Sequence, residues 1–352
     1  MTMVRTILLC PGLLTVAIVW MALPGKTPHI QTGPDPFAAL EPVQVGGMTQ
    51  WLLIRGQDRS APVLLWLHGG PGAAQMPLAH ATTRVLERDF VVVHWDQRGA
   101  GKSNPRDFDP TTMTMERFLQ DAHEVTRHLQ ERLKTERIAM LGHSWGSMLG
   151  ARLVARWPED HAAYVGVSQQ VNTERGIEIT LERLAPLIQA SARPDQLHWL
   201  DTITPEILME HAAYVEMMQM LDDYGGGMNV PVWRLAWMLV RSPEYNLADL
   251  QRWLDGAHRG SGPMWPDYRS RDLIAEVQVM PVPMLLISGM HDLNTPMELA
   301  SDWFDLVEAP QGKRHVFLED SGHAPFLTEP DQFSEVVIKI AESIRSKQLP
   351  SW

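Results

Sequence analysis

The chain has almost no cysteine, since Cys10 is the only one among its 352 residues. A single thiol cannot form an intrachain disulfide, and it cannot supply the paired cysteines of a zinc or iron–sulfur site. The sequence also contains no H-E-x-x-H motif and no carboxylate cluster that would indicate a metal site. We therefore predict that the protein works without a metal or any other cofactor.

Basic runs are missing as well. The chain carries 30 Lys and Arg against 42 Asp and Glu, a formal net charge of −12. An acidic chain without a basic run is a poor match for nucleic acid or for an anionic lipid surface. The expected partner is a small molecule or a short peptide that serves as substrate, and the composition leaves the oligomeric state open.

Long apolar runs are scarce, except for Ile7–Leu23 near the N-terminus. This run is near the lower limit for a membrane-spanning helix and near the upper limit for a signal-peptide core. No clean A-x-A cleavage site follows it. We predict that residues 1–27 are a signal peptide or a membrane anchor, either of which places the rest of the chain outside the cytoplasm; a buried helix is the alternative. The prolines of residues 28–42 predict an irregular linker.

Short apolar runs alternate with helical patterns through most of the remaining chain. Runs such as Val63–Leu67 and Ile138–Leu141 suit strands that are buried on both faces. The alternation predicts a mostly parallel sheet flanked by helices, formed by residues 43–168 and 279–352. Between these two parts, residues 169–278 lack strand-like runs. We predict that they form a helical cap whose methionines and tryptophans are mostly core residues.

The most informative motif is G-x-S-x-G at residues 142–146. A strand pattern leads into it and a helix pattern leads out, which is typical of a nucleophile elbow. In such an elbow a strained serine lies at the tip of a turn and holds its hydroxyl above the sheet. Because glycine-rich turns between strand and helix are common, the motif alone is a weak signal. It makes Ser144 a candidate nucleophile.

A serine hydroxyl needs a base to act as a nucleophile. In the elbow fold an acid and then a histidine follow the serine along the chain. Here Asp292 follows the apolar run MLLISG, and His323 follows the run HVFLED. Both positions fall at the C-terminal edge of a parallel sheet, where sites of α/β proteins form. Each residue alone is an ordinary loop residue, but together they predict a catalytic triad of Ser144, Asp292 and His323.

The sequence HGGPG at residues 68–72 supplies a candidate oxyanion hole. Acyl transfer develops negative charge on an oxygen, which preorganised N–H groups stabilise. Glycines allow the backbone to approach the substrate without an intervening side chain. In the elbow fold one donor is the N–H after the nucleophile and the other comes from a glycine-rich loop. We predict that these donors are Trp145 and Gly70.

Five short motifs together resemble the proline iminopeptidase group of α/β-hydrolases: HGGPG at 68–72, DQRGAGKS at 96–103, GHSWGS at 142–147, GMHD at 289–292 and SGH at 321–323. The resemblance implies an α/β-hydrolase fold, a mostly parallel central sheet flanked by helices with a helical cap insertion. It implies the triad and oxyanion hole named above. It also implies an aminopeptidase that releases N-terminal residues from small peptides through an acyl-enzyme.

The insertion departs from that group. In the peptidases acidic cap residues hold the free amino terminus of the substrate, often beside a Trp-Glu pair, and residues 169–278 contain no such pair. The available acids, none marked by a motif, are Glu174, Glu178, Glu206, Glu210 and Glu216. Two enzymatic alternatives therefore stay open: an aminopeptidase, or a carboxylesterase or amidase acting on small apolar substrates. A non-enzymatic binding protein on a hydrolase fold is the third.

Overall fold

The computed structural model describes Leu23 and residues 25–349. The predicted signal peptide or anchor, residues 1–27, therefore lies almost entirely outside the described residues. Within the described part of the chain, no helix combines the length and the apolar character needed to cross a membrane.

The described residues form one eight-stranded sheet. Its strands are β1 (Phe37–Val45), β2 (Met48–Gly56), β3 (Val63–Leu67), β4 (Val91–Asp96), β5 (Ile138–His143), β6 (His161–Val167), β7 (Met284–Gly289) and β8 (Lys313–Leu318). They are arranged in the order β1-β2-β4-β3-β5-β6-β7-β8. The pairs β1–β2 and β2–β4 are antiparallel and the other pairs are parallel. This arrangement confirms the predicted fold class.

The central strands are buried along their whole length, because helices cover both faces of the sheet. The first strand corrects one prediction. It begins at Phe37, inside the segment 28–42 that was predicted to be an irregular linker. Pro42 is compatible with this strand because β1 lies at the edge of the sheet, where a missing N–H costs no ladder bond on the open side.

Fourteen α-helices lie within the described residues. In chain order they are α1 (Ala79–Thr82), α2 (Met115–Leu133), α3 (Trp145–Arg156), α4 (Thr173–Ser191), α5 (Pro194–Thr202), α6 (Pro205–Leu208), α7 (His211–Met220), α8 (Val232–Val240), α9 (Leu247–Arg259), α10 (Trp265–Arg269), α11 (Leu273–Glu276), α12 (Met297–Leu306), α13 (Pro325–Thr328) and α14 (Pro330–Ser346). Short 3₁₀-helices occur at Met76–Leu78, Leu86–Arg88, Gly101–Ser103, Pro110–Thr112, Pro158–Asp160, Leu221–Tyr224 and Gly262–Met264.

Helix α2 illustrates how the sequence specifies these elements. The Thr114 hydroxyl caps its N-terminus by accepting a hydrogen bond from the N–H of Arg117 at 3.2 Å. Its apolar residues recur at helical spacing, and Phe118, Ala122 and Val125 are fully buried against the core. Burial of this apolar stripe holds the helix on the sheet.

Between β6 and β7 every named element is a helix, α4 to α11. The cap boundaries 169–278 remain a prediction. The expectation that the methionines and tryptophans of this segment are mostly core residues was partly wrong. Met217 is buried, whereas Trp233 and Trp237 of α8 are 71% and 57% exposed. The reason is the orientation of α8: Met238 packs against the apolar cluster that contains Phe326, and both tryptophan side chains are left facing solvent.

Candidate active site

Ser144 stands at a sharp turn between β5 and α3. Its backbone angles are φ 54° and ψ −122°, a conformation that residues with a side chain rarely adopt. The flanking glycines are required by crowding. A Cβ on Gly142 would lie 2.2 Å from the carbonyl oxygen of Gly146, and a Cβ on Gly146 would lie 2.2 Å from that of Leu67. The turn therefore has the geometry of a nucleophile elbow, with the N-terminus of α3 beside the serine.

Asp292 and His323 lie at the C-terminal ends of β7 and β8 and contact each other directly. The distance from His323 Nδ1 to Asp292 Oδ2 is 3.0 Å. Asp292 Oδ1 also accepts hydrogen bonds from the N–H groups of Asn294 (2.8 Å) and Thr295 (2.9 Å). Burial alone would raise the pKa of Asp292, but the charge and hydrogen bond of His323 and the bonds from Thr295 outweigh it and lower that pKa below its usual value. The carboxylate is thus held ionised beside the imidazole.

The backbone of His323 is clamped from three sides. Its N–H donates to the carbonyl oxygen of Gly227 at 2.7 Å. Its own carbonyl oxygen accepts from His143 Nε2 at 2.8 Å and from Ser168 Oγ at 3.0 Å. His143 is neutral, because burial, with the nearby charge of His323, lowers its pKa to about 3. The proton therefore resides on Nε2, and Nδ1 accepts a 2.8 Å hydrogen bond from the side-chain amide of Gln75.

The HGGPG loop lies directly against the elbow. A Cβ on Gly69 would come within 3.2 Å of the Cβ of Ser144. Gly70 has a φ of +115°, and a Cβ there would lie 2.7 Å from the nitrogen of Gly72. Gly70 therefore needs to be glycine, and a side chain at position 69 would be tightly packed against the elbow. Within residues 25–349, neither the Gly70 N–H nor the Trp145 N–H donates a hydrogen bond to the backbone, so both remain available to a ligand oxygen.

Gln97 connects this loop to the elbow. Its side-chain amide donates to the carbonyl oxygen of His68 at 3.0 Å, and its side-chain oxygen accepts from the Trp145 indole at 3.1 Å. Its backbone N–H donates to His68 Nε2 at 3.1 Å. Burial lowers the pKa of His68 to about 4, so this imidazole is neutral and accepts that bond. One buried residue thus fixes both loops that carry the predicted oxyanion-hole donors.

The cap contributes a glycine segment, Gly225–Gly227, to the walls of the site. The carbonyl oxygen of Gly226 accepts from the N–H of Leu293 at 2.9 Å, next to Asp292. The carbonyl oxygen of Gly227 holds the N–H of His323. The loop of the acid and the loop of the histidine are therefore tied to the same short segment of the cap.

The structure places the five predicted site residues as follows. Asp292 and His323 are joined, and Ser144, Trp145 and Gly70 lie at the elbow and at the loop against it. No hydrogen bond joins the Ser144 hydroxyl to His323 within the described residues. Ser144 is 9% exposed and His323 is 4% exposed. The triad and the oxyanion hole therefore remain predictions.

The acids considered for binding a substrate amine lie on the surface of the cap. Glu174 pairs with Arg269 at 3.1 Å, and Glu178 pairs with Arg175 at 2.7 Å. The side chains of Glu206, Glu210 and Glu216 are exposed as well. In residues 25–349, no group of three or more His, Cys, Asp or Glu side chains has the arrangement needed to hold a metal ion.

Sequence reasoning missed the residues that support the site. It noted the motif DQRGAGKS but did not single out Gln97. It also assigned no role in the site to His143, Ser168 or Gly227. The sequence held a signal for Gln97 and His143, since both lie inside the motifs already noted. Ser168 and Gly227 lie in no motif. Their role depends on long-range contacts, because Ser168 bonds to His323, 155 residues further along the chain, and Gly227 bonds to it from the cap.

The model of the family described as alpha/beta hydrolase fold matches residues 62–330, more than half of the chain. The chain therefore belongs to the alpha/beta hydrolase family. Among curated proteins it is 29% identical over 310 residues to "Probable aminopeptidase YbaC" of Bacillus subtilis (strain 168), covering 86% of this chain and 96% of that protein. It is 25% identical over 303 residues to a proline iminopeptidase of Heyndrickxia coagulans, covering 85% and 96% respectively.

A solved structure, the proline iminopeptidase of Mycobacterium smegmatis, superposes with a TM-score of 0.66 at 22% identity. The match covers 88% of this chain and 99% of that one, and at this identity it shows the fold. These relatives confirm the resemblance to the proline iminopeptidase group that the five short motifs indicated. They support a hydrolase as the general class of this protein.

Proposed function

We propose that this protein is a serine hydrolase that works through an acyl-enzyme. The Ser144 hydroxyl attacks the substrate carbonyl carbon, and its proton passes to Nε2 of His323. Asp292 holds the ring through Nδ1 and stabilises the imidazolium. The N–H groups of Gly70 and Trp145 stabilise the oxyanion. The bond to the leaving group breaks as His323 protonates that group, and water then releases the acid by the same route in reverse.

The observation that carries this proposal is the Asp292–His323 pair at 3.0 Å, at the sheet edge that also bears the strained Ser144. Because Nδ1 is committed to Asp292, Nε2 is the ring nitrogen left to act as base. The Ser144–His323 bond is the step that the proposal adds. Catalytic hydrogen bonds are often long before substrate binds and shorten in the complex.

For the substrate, we propose N-terminal residues of short peptides, since the named relatives are aminopeptidases and proline iminopeptidases. One observation favours a second candidate. The five cap acids available to bind a substrate amine lie on the surface, and two of them are paired with arginines. A carboxylesterase or amidase acting on small apolar substrates needs no such acid.

The mechanism is tested with a fluorophosphonate probe, which reacts covalently with an activated serine. We expect the probe to label the unchanged protein and not Ser144→Ala. We also expect the hydrolytic rate of Ser144→Ala to be lower by about 1000-fold or more. Ser60→Ala is the matched control, because Ser60 is exposed in the turn before β3, at the opposite edge of the sheet. Labelling that persists in Ser144→Ala would contradict the assignment of the nucleophile.

The substrate class is tested by comparing proline and alanine aminoacyl amides, free and N-blocked, with short acyl esters. Activity confined to free amines supports the aminopeptidase. Equal activity on N-blocked amides or a preference for esters would replace it with the second candidate. This comparison of substrates does not test the serine mechanism. The proposed substrate class and the proposed mechanism can therefore be rejected independently.

A further inference from the structure

The surface of the cap, together with Leu23 of the N-terminal segment, carries an apolar ridge that no described residue covers. Its six members are each between 43% and 71% exposed: Leu23, Trp233, Trp237, Val240, Leu247 and Leu254. Helix α8, which supplies three of them, contains no buried residue, although almost all of its residues are apolar. Large exposed apolar patches of this kind mark interaction surfaces.

The ridge is continuous. Trp233, Trp237 and Val240 have the spacing i, i+4, i+7, which places them on one face of α8. Leu247 and Leu254 share one face of α9 by the same rule. Val240 and Leu247 join the two helices, because both line one cavity of about 360 Å³, and Leu23 lines it with them.

The apolar N-terminal run of the sequence ends on this ridge. The run Ile7–Leu23 has no spacer between its last residue and the ridge. The chain is then fixed to the body of the protein: the N–H of Lys26 donates to the carbonyl oxygen of Pro243 at 2.8 Å, and Arg55 donates to that of Pro28 at 2.8 Å. If residues 7–22 enter a bilayer, the ridge lies at the surface of that bilayer.

The charges around the ridge are of both signs, as are those of zwitterionic headgroups. Residues 224–243, which include α8, contain no Asp or Glu but include Arg234 and Arg241, whereas the exposed Asp255 follows Leu254 on α9. The guanidinium of Arg241 lies 5.2 Å from the centre of the Trp237 ring. Tryptophan prefers the boundary between headgroups and acyl chains, and an adjacent arginine can reach the phosphates while its stem stays on apolar surface.

We propose that the apolar ridge docks on a zwitterionic lipid bilayer into which the N-terminal segment inserts. Helices α8 and α9 then lie in the interfacial region with their apolar faces toward the acyl chains. The acidic remainder of the protein faces away from the membrane. Apart from Leu23, the docked surface belongs to the cap, and the site at the sheet edge is a separate part of the molecule.

The test uses the full chain reconstituted into phosphatidylcholine vesicles. In a Cys10→Ser background, Trp237→Cys and Val240→Cys each carry one environment-sensitive fluorophore. Leu306→Cys is the matched control, since Leu306 is 65% exposed at the end of α12, outside the ridge. Vesicles that contain doxyl-labelled phosphatidylcholine quench a fluorophore in the interface. We expect quenching at both ridge positions to exceed quenching at position 306 by at least threefold, with a blue-shifted emission.

Two results overturn the proposal. Ridge labels that resist doxyl-lipid but are quenched by aqueous iodide face water. Ridge labels that are shielded from both quenchers are covered by protein, either by the chain's own N-terminal segment or by a second copy. Far-ultraviolet circular dichroism of each labelled variant checks the fold, and the two ridge positions guard against a defect in one variant.

Discussion

Gln97 shows how one side chain can preorganise a site that it does not enter. Its amide bridges His68 in the glycine-rich loop and the indole of Trp145 at the start of α3. The proposed oxyanion-hole donors lie on these two elements. Because donors act only when they are aimed at the developing charge, their relative position matters more than the strength of either bond. Gln97 is therefore a positioning residue.

We expect Gln97→Met to lower kcat by about 10- to 100-fold with little change in KM, because methionine fills a similar volume but leaves the buried indole N–H of Trp145 without its acceptor. The measurement is steady-state kinetics together with the rate of fluorophosphonate labelling. Gln130→Met is the control, since Gln130 is a buried amide in the last turn of α2 that donates to the carbonyl oxygen of Glu136 at 2.7 Å. If both variants keep their kcat, the positioning role is wrong.

At the scale of elements, the glycine segment Gly225–Gly227 links the cap to the site. A Cβ on Gly226 would lie 2.3 Å from Cγ of the buried Leu293, so alanine cannot be accepted there without a shift of the loop that carries Asp292. We expect Gly226→Ala to lower kcat by about tenfold and to destabilise the protein by about 1–3 kcal/mol, as overpacking does. Kinetics and the downfield resonance of the His323 Nδ1 proton report the displacement.

Gly176→Ala is the control for that experiment. Gly176 lies within α4 of the same cap, and a Cβ there would meet its nearest neighbour, Cδ1 of Leu299, at an ordinary 3.8 Å. Alanine is a better helix former than glycine by up to about 1 kcal/mol, so the melting temperature of Gly176→Ala should equal or exceed that of the unchanged protein. Equal activity of the two variants would show that the glycine segment does not position the acid.

Strands and turns could be predicted from the sequence where a local residue pattern was enough to specify them. The run that forms β4 is apolar throughout because both faces of the strand are covered, and the elbow needs glycine for reasons that are visible in its own motif. Two features were not local. Pro42 is tolerated because β1 happens to be an edge strand. The tryptophans of α8 are exposed because no other described element packs on that face, which periodicity alone does not reveal.

The same distinction applies to the site. The candidates for the triad and the oxyanion hole were identified by the chemistry of their motifs, whereas the clamp on His323 was not. That clamp joins His143, Ser168 and Gly227 to one peptide group, and sequence spacing carries no information about which distant groups complete it. The choice between peptide and ester substrates was equally hidden, because it depends on where the acids of the cap point after folding.

At the scale of the whole molecule, a buried polar junction joins the cap to the core. Lys102 Nζ donates to Asp249 Oδ2 at 2.5 Å and to the carbonyl oxygen of Glu244 at 3.0 Å. Asp96 accepts hydrogen bonds from the Lys102 N–H at 2.8 Å and from the Tyr245 hydroxyl. Two core residues thus hold three cap residues, Glu244, Tyr245 and Asp249, and the stability of the junction bears on the position of the cap.

The junction makes the stability of the protein depend on pH. Burial raises the pKa of Asp96 to about 7, although the hydrogen bonds from Tyr245 and Lys102 oppose it. An unfolded aspartate titrates near pH 4, so between about pH 4 and 7 the folded state holds a proton that the unfolded state has released. The free energy of unfolding therefore falls as pH rises through this range and levels off above it.

Asp96→Asn should abolish this dependence, because asparagine keeps an acceptor for Tyr245 and for the Lys102 N–H but has no proton to release. We expect the loss of unfolding free energy between pH 5 and pH 8, measured by urea denaturation, to be about 2 kcal/mol smaller in the variant. Asp109→Asn is the control: hydrogen bonds from Thr111 lower the pKa of this exposed carboxylate, so it does not titrate in that range. The same loss in Asp96→Asn as in the unchanged protein would mean that Asp96 is already ionised in the folded junction at pH 5, with Lys102 compensating its burial.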